Sequence, residues 1–202
     1  MRKTIVVATF NRHKLGEIMA ILPGLDLEFR ALADFPGAVP PEEDGETLEA
    51  NALKKASAAA RHTGLWSLAD DTGLEVDALG GAPGVRSARY SGEDASPARN
   101  NARLLSELAG VPPGSRGARF VCVMALVPPS GGPVISRGVL EGSIAAAPRG
   151  AAGFGYDPLF EVKGSPRTLA EFSADEKNSV SHRALALKGL LPALESLCRA
   201  SD

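Results

Sequence analysis

The sequence predicts an α/β protein built on a mixed, twisted sheet, and three observations carry that expectation. Apolar runs without polar alternation occur at Thr4 to Ala8 and Arg119 to Val127, as in strands buried on both faces. Stretches of helical period separate the early strands. Late in the chain, two β-rich runs flank Pro128-Pro129-Ser130-Gly131-Gly132, long enough for a hairpin loop.

In chain order, Thr4 to Ala8 is the first strand. Leu15, Ile18, Met19 and Leu22 then mark a helix that Pro23-Gly24 ends. Leu27 to Leu32 reads as a second strand, and Phe35 to Gly45, rich in Pro, Gly and acidic residues, as a loop. The Ala-rich segment Leu48 to His62 has high helix propensity, and Gly64 suits its C-terminal cap. A strand from Leu65 to about Ala69 is expected to deliver Asp70-Asp71-Thr72-Gly73 to its carboxyl end.

After the Gly-rich turn at Gly80 to Gly84, Ser96 as N-cap and Pro97 at the first helical position open a helix to about Leu108. Val134 to Leu140 is expected to pair with the run ending at Val127. Ser173-Ala174-Asp175-Glu176 has the pattern of a capping box. A last amphipathic helix spans His182 to Leu197, with Pro192 as a point of kinking.

A chain of 202 residues fits one domain better than two, and 44% apolar with 23% charged residues is ordinary globular composition. A net charge of -2 argues against coating nucleic acid or anionic lipid, which needs dense Lys and Arg patches. The run Ile5 to Ala8 is too short for a signal-peptide core and no later stretch could span a bilayer, so a cytoplasmic protein is expected. Cys122 and Cys198 lack metal or disulfide spacing and read as plain thiols.

Four strings could carry chemistry. Thr9-Phe10-Asn11-Arg12-His13-Lys14 lies between the first strand and helix, where backbone N–H groups and the helix dipole favour an anion. The same string serves equally as an ordinary turn capped by Asn11, and it lacks the glycines of a Walker loop. Asp70-Asp71 offers the oxygen ligands that magnesium prefers, and Asp71 could take a proton from an attacking water; the plain alternative is an Asp-rich turn before Gly73. Glu42 and Glu43 are weaker candidates on a solvated loop. In Gly153-Phe154-Gly155-Tyr156-Asp157-Pro158 an aromatic ring could stack on a base while Asp157 accepts from a base N–H; a structured turn explains it as well. Lys177 with Ser181-His182-Arg183 supplies donors for a carbonyl or phosphate, or a capped helix with solvated cations.

Together these strings describe a nucleotide site better than any one does. A triphosphate carries about four negative charges, each unit pair being worth on the order of 4 kcal/mol at an effective dielectric of 20. Lys14, Lys55, Lys177, Arg183 and a carboxylate-held cation would meet it.

At this point the sequence resembles a family, the inosine/xanthosine triphosphate (non-canonical purine nucleoside triphosphate, HAM1-like) pyrophosphatases. The likeness runs through Ala8-Thr9-x-Asn11-x-x-Lys14, Glu43-Asp44-Gly45, Asn51-Ala52-Leu53-x-Lys55-Ala56 and Ala69-Asp70-Asp71-Thr72-Gly73-Leu74. It continues in Leu79-Gly80-Gly81-Ala82-Pro83-Gly84-Val85, Ser87-Ala88-Arg89-Tyr90-Ser91-Gly92, Gly153 to Pro158 and Ser181-His182-Arg183-x-x-Ala186-Leu187. Phe10 and Ala50 depart from the common pattern at the phosphate motif and before Asn51.

The resemblance implies an elongated sheet flanked by helices, two lobes within one domain spanning 1–202 with a nucleotide cleft between them, and a homodimer. It implies Mg2+-assisted hydrolysis of inosine, deoxyinosine and xanthosine triphosphates to monophosphate and pyrophosphate, sanitising the nucleotide pool. By the same likeness Thr9 to Lys14 and Lys55 hold phosphates, Asp71 is base and metal ligand, and Thr72 touches substrate. Glu43, or alternatively Glu42, is the second metal ligand. Phe154, Gly155, Tyr156, Asp157, Lys177, His182 and Arg183 form the base pocket.

Overall fold

The computed structural model of the chain describes residues 2–10, 12–22 and 24–199, with Arg12 and His13 described as backbone. The first strand, β1 (Lys3–Val7), is followed by α1 (Arg12–Ile21), β2 (Leu27–Ala31), α2 (Leu48–Thr63) and β3 (Trp66–Val76). Next come β4 (Pro83–Gly84), α3 (Pro97–Glu107), β5 (Gly117–Val127) and β6 (Val134–Ile144), then β7 (Phe160–Val162), α4 (Ala174–Val180) and α5 (His182–Arg199). Among the described residues the strands form one seven-stranded mixed sheet in the order β2-β1-β3-β5-β6-β7, with β4 on β3. None of the described helices is long and apolar enough to cross a membrane.

Two compact units divide the chain. One holds residues 1–71, 122–138 and 183–202; the other holds 72–121 and 139–182. In the first unit β1 runs parallel to both β2 and β3, with Val7 opposite Ala31 and Leu68. Parallel neighbours require crossover connections, which α1 and α2 supply. Ile5, Val7, Leu68, Met124 and Leu126 of the sheet pack with Ile18 and Leu22 of α1 and Leu187, Leu190 and Leu194 of α5. The unbroken apolar runs of the sequence follow from this burial.

Helix α2 closes on the sheet through small residues: Ala52, Ala56 and Ala59 are fully buried. Thr47 caps it by accepting the Ala50 N–H at 3.1 Å, and Gly64 ends it in the left-handed region at φ 68°. The second unit has its own core of Leu74, Val76, Leu104, Leu108, Phe120, Leu159 and Phe160. There α3 begins at Pro97 with Ser96 accepting the Arg99 N–H, and α4 carries the capping box between Ser173 and Glu176.

The main departure from expectation is β3. Instead of ending near Ala69, it continues through Asp70-Asp71-Thr72-Gly73 to Val76 without interruption. Its extension is held by β4, with Leu74 opposite Gly84 and Glu75 opposite Pro83, and by burial of Leu74 and Val76. The Asp pair therefore lies beyond the carboxyl end of β1, where the parallel ladder stops at Val7 and Leu68, and not at the end of β3. Strand β6 also runs on to Ile144, because Gly142 to Ile144 pair with β7.

Because the N-cap oxygen answers one of the unpaired N–H groups at the start of α2, Thr47→Ala should lower the unfolding free energy by about 1 kcal/mol, read from the urea midpoint at constant m-value. An unchanged midpoint would show that water replaces the cap at no cost.

Candidate functional site

Consecutive strand residues point to opposite faces, so Asp70 and Asp71 meet different surroundings. Asp70 is 4% exposed and takes the Lys14 ammonium of α1 and the Arg183 guanidinium of α5, each at 3.0 Å. Arg183 is 1% exposed and its other terminal nitrogen pairs with Glu17, one turn along α1 from Lys14. Burial favours the neutral acid at Asp70, but Lys14, Arg183 and Lys55 outweigh it and hold the carboxyl well below the ordinary range. The same carboxylates keep the Arg183 guanidinium charged against its own burial.

On the other face Asp71 meets α2. Its Oδ1 accepts from Lys55 at 2.9 Å and its Oδ2 from the Asn51 amide at 3.1 Å. Lys55 also reaches Glu43 Oε1 at 3.1 Å, so one ammonium joins the loop carboxylate to the strand carboxylate. Burial pushes the Asp71 carboxyl up, and nearby Glu43 adds to this against the opposing pull of Lys55 and Asn51. Burial works against the Lys55 charge, yet Asp71, Asp70 and Glu43 prevail and raise it. Adjacent aspartates thus shift in opposite directions, Asp70 held down by its cations and Asp71 pushed up by burial.

A divalent cation can be tested against this donor set. Asp71 and Glu43 converge on one cation-sized point, now held by Lys55. Among the described residues, the ion pairs join four carboxylates (Glu17, Glu43, Asp70, Asp71) to three cations (Lys14, Lys55, Arg183). Hard oxygen donors, two in number, suit an ion that keeps waters and takes phosphate as further ligand. Among the described residues no group of three or more His, Cys, Asp or Glu is arranged to hold a metal by itself.

The second unit carries its own polar cluster. Gly153 lies at φ 75°, and a Cβ there would come within 2.1 Å of Asp157 Oδ2, so only glycine lets the loop close on that carboxylate. Asp157 Oδ2 accepts the Phe154 N–H at 2.9 Å and the Lys177 ammonium at 2.8 Å. Lys177 also stands 4.7 Å from the centre of the Phe154 ring. His182 stacks on Phe120 with ring centres 4.7 Å apart.

The remaining expected residues fall as follows. Tyr156 is buried in the core, its hydroxyl donating to the Ser87 carbonyl at 2.9 Å, and Phe154 is the half-buried ring of that string. Gly155 accepts from the Asn101 amide at 3.1 Å. Thr9 and Thr72 are half-buried, while Phe10 is 45% exposed. Asn11 and the side chains of Arg12 and His13 lie outside the described residues. Glu42 is exposed on the loop, and it is Glu43 that reaches Lys55. Sequence reasoning missed Glu17, although its spacing of three from Lys14 puts both on one helical face, and gave Asn51 no role despite its spacing of four from Lys55.

A charged cluster with paired carboxylates beyond the carboxyl end of a parallel strand lies where open α/β sheets bind their ligands. The Ham1 family model matches residues 5–193, and the chain belongs to that family. It is 57% identical over 183 residues to a dITP/XTP pyrophosphatase of Geobacter sulfurreducens, covering 91% of this chain and 92% of that one. It is 52% identical over 188 residues to the dITP/XTP pyrophosphatase of Elusimicrobium minutum, covering 91% and 95%. Among solved structures it superposes on a HAM1 protein from Coxiella burnetii with a TM-score of 0.88, 43% identity and coverage of 96% and 99%.

The ion pairs of Asp70 set the acid response. Its folded-state pKa is depressed below the ordinary 3.8, so its stabilising contribution is complete above that value and is lost as pH falls through the folded value. Unfolding free energy should decline as pH falls below the ordinary 3.8, and Asp70→Asn should be less stable at neutral pH with a shallower decline. Parallel pH curves for the two proteins would contradict this account.

Proposed function

We propose that the chain hydrolyses non-canonical purine nucleoside triphosphates, inosine, deoxyinosine and xanthosine triphosphates among them, to the monophosphate and pyrophosphate. The observation that carries the reading is the Glu43–Lys55–Asp71 arrangement, two carboxylates gathered on one cation beside a phosphate-charge lysine. Membership of the Ham1 family and the dITP/XTP pyrophosphatase names of close relatives support the substrate class. Removing such nucleotides from the pool is the cellular role that follows, in keeping with a cytoplasmic enzyme.

Asp71 and Glu43 would hold Mg2+, which would supply charge neutralisation at the polyphosphate and at the departing pyrophosphate. Lys14, fixed by Asp70, and Lys55, released from the carboxylates as the polyanion arrives, bind phosphate oxygens. The backbone from Thr9 to Lys14 offers N–H donors to the same groups. Asp71 takes the proton of the attacking water as the new P–O bond forms and the anhydride bond between the α and β phosphates breaks. Thr72, the next residue, contacts the substrate.

Base reading is assigned to the second cluster, through Phe154, Gly155, Asp157, Lys177 and His182, with Tyr156 holding the loop in the core. A 6-keto purine presents an acceptor where adenine presents a donor, which suits the donors Lys177, His182 and Arg183. Sites built on such hydrogen bonds discriminate by roughly 10⁴ to 10⁵. A homodimer is expected from the family resemblance.

Pyrophosphate release from a panel of triphosphates with Mg2+ tests the reading: deoxyinosine and xanthosine triphosphates should be cut and adenosine triphosphate left largely intact. Asp71→Asn should keep the circular dichroism of the wild type and lose turnover by about 10² to 10⁴. Wild-type turnover in Asp71→Asn would remove its role as base.

A further inference from the structure

We propose that Asn51 is a positioning residue, a neutral clamp that orients the Asp71 carboxylate and ties to it the loop carrying Glu43. The proposal rests on the functional reading above and adds to it the element that holds base and loop in register.

Asn51 is 1% exposed, in the first turns of α2. Its Oδ1 accepts the Gly45 N–H at 2.8 Å, and its Nδ2 donates to Asp71 Oδ2 at 3.1 Å. A backbone N–H can only donate and an ionised carboxylate only accept, so the amide has one satisfactory orientation; turning it over would oppose two donors and two acceptors. Gly45 follows Glu43 by two residues, and Glu43 meets Lys55, which meets Asp71 again. The contacts close a ring from loop to helix to strand and back.

The two helix residues in that ring differ in what a substrate does to them. Lys55 is charged and is drawn toward arriving phosphate, loosening its hold on both carboxylates. Asn51 is neutral, competes for neither cation nor phosphate, and keeps both its bonds while Lys55 moves. Without it, Asp71 would be free to rotate and Glu43 to drift when the lysine departs. Gly45 fits this role: a Cβ there would come within 2.5 Å of Asn51 Oδ1, so a side chain at 45 would force the loop off the clamp.

Three variants separate the two halves of the clamp, each read by Gly45 amide hydrogen exchange in the metal-free protein and by kcat and KM for deoxyinosine triphosphate with Mg2+. Asn51→Ala removes both bonds; Gly45 should lose protection and kcat should fall about 10- to 100-fold, the usual effect of removing a group that orients a metal ligand, with KM changing less. Asn51→Asp keeps the acceptor for Gly45 and loses the donor to Asp71, so protection should persist while kcat falls at least as far. Gly45→Ala alters no site side chain and should lower kcat in the same direction.

Wild-type kcat in Asn51→Ala, or Gly45 exchange that is fast in the wild type or indifferent to Asn51→Ala, overturns the clamp. Should Asn51→Ala fail to fold, Gly45→Ala decides: an unchanged kcat there overturns it. A wild-type protein that cuts no triphosphate sinks the functional reading instead, and the clamp then stands or falls on the Gly45 exchange alone.

Discussion

The pleat of β3 at Asp70-Asp71 is the constraint on which the remaining geometry rests. Two carboxylates adjacent in sequence would repel and titrate together in a turn. On a strand they face opposite sides, one supplied by α1 and α5 and the other by α2. Asp70 is surrounded by Lys14 and Arg183 and becomes a fixed anion that orders cations; Asp71 meets Lys55 and Asn51 and keeps a raised affinity for a proton. Division of labour between like residues comes from the backbone, with burial and partners setting the sign of each shift.

The same pleat explains the charge balance. Buried cations need carboxylates, and buried carboxylates need cations, so the cluster interleaves the two.

Much of this architecture was legible in the residues. Unbroken apolar runs gave β1 and β5, Ser96-Pro97 opened α3 at the residue expected, and Gly64 closed α2 where its φ of 68° demands glycine. The error at β3 had a physical cause: Asp-Asp-Thr-Gly has the composition of a turn, and what keeps it extended is the pairing of Leu74 and Glu75 with Gly84 and Pro83 of the two-residue strand β4, too short to show a period. Strand β7, only three residues long, is too short to show a period. The strings for the charged cluster were recognisable, but which loop glutamate faces Lys55, which guanidinium nitrogen meets Glu17, and the two bonds of Asn51 depend on tertiary contacts that no spacing encodes.

Anomalous scattering from Mn2+ in crystals grown with an α,β-imido analogue of deoxyinosine triphosphate tests the central claim most directly. The account requires one ion bonded to both Asp71 and Glu43, with Asp70 still paired to Lys14. An ion bonded to Asp70, or one that leaves Asp71 and Glu43 both uncoordinated, would contradict it.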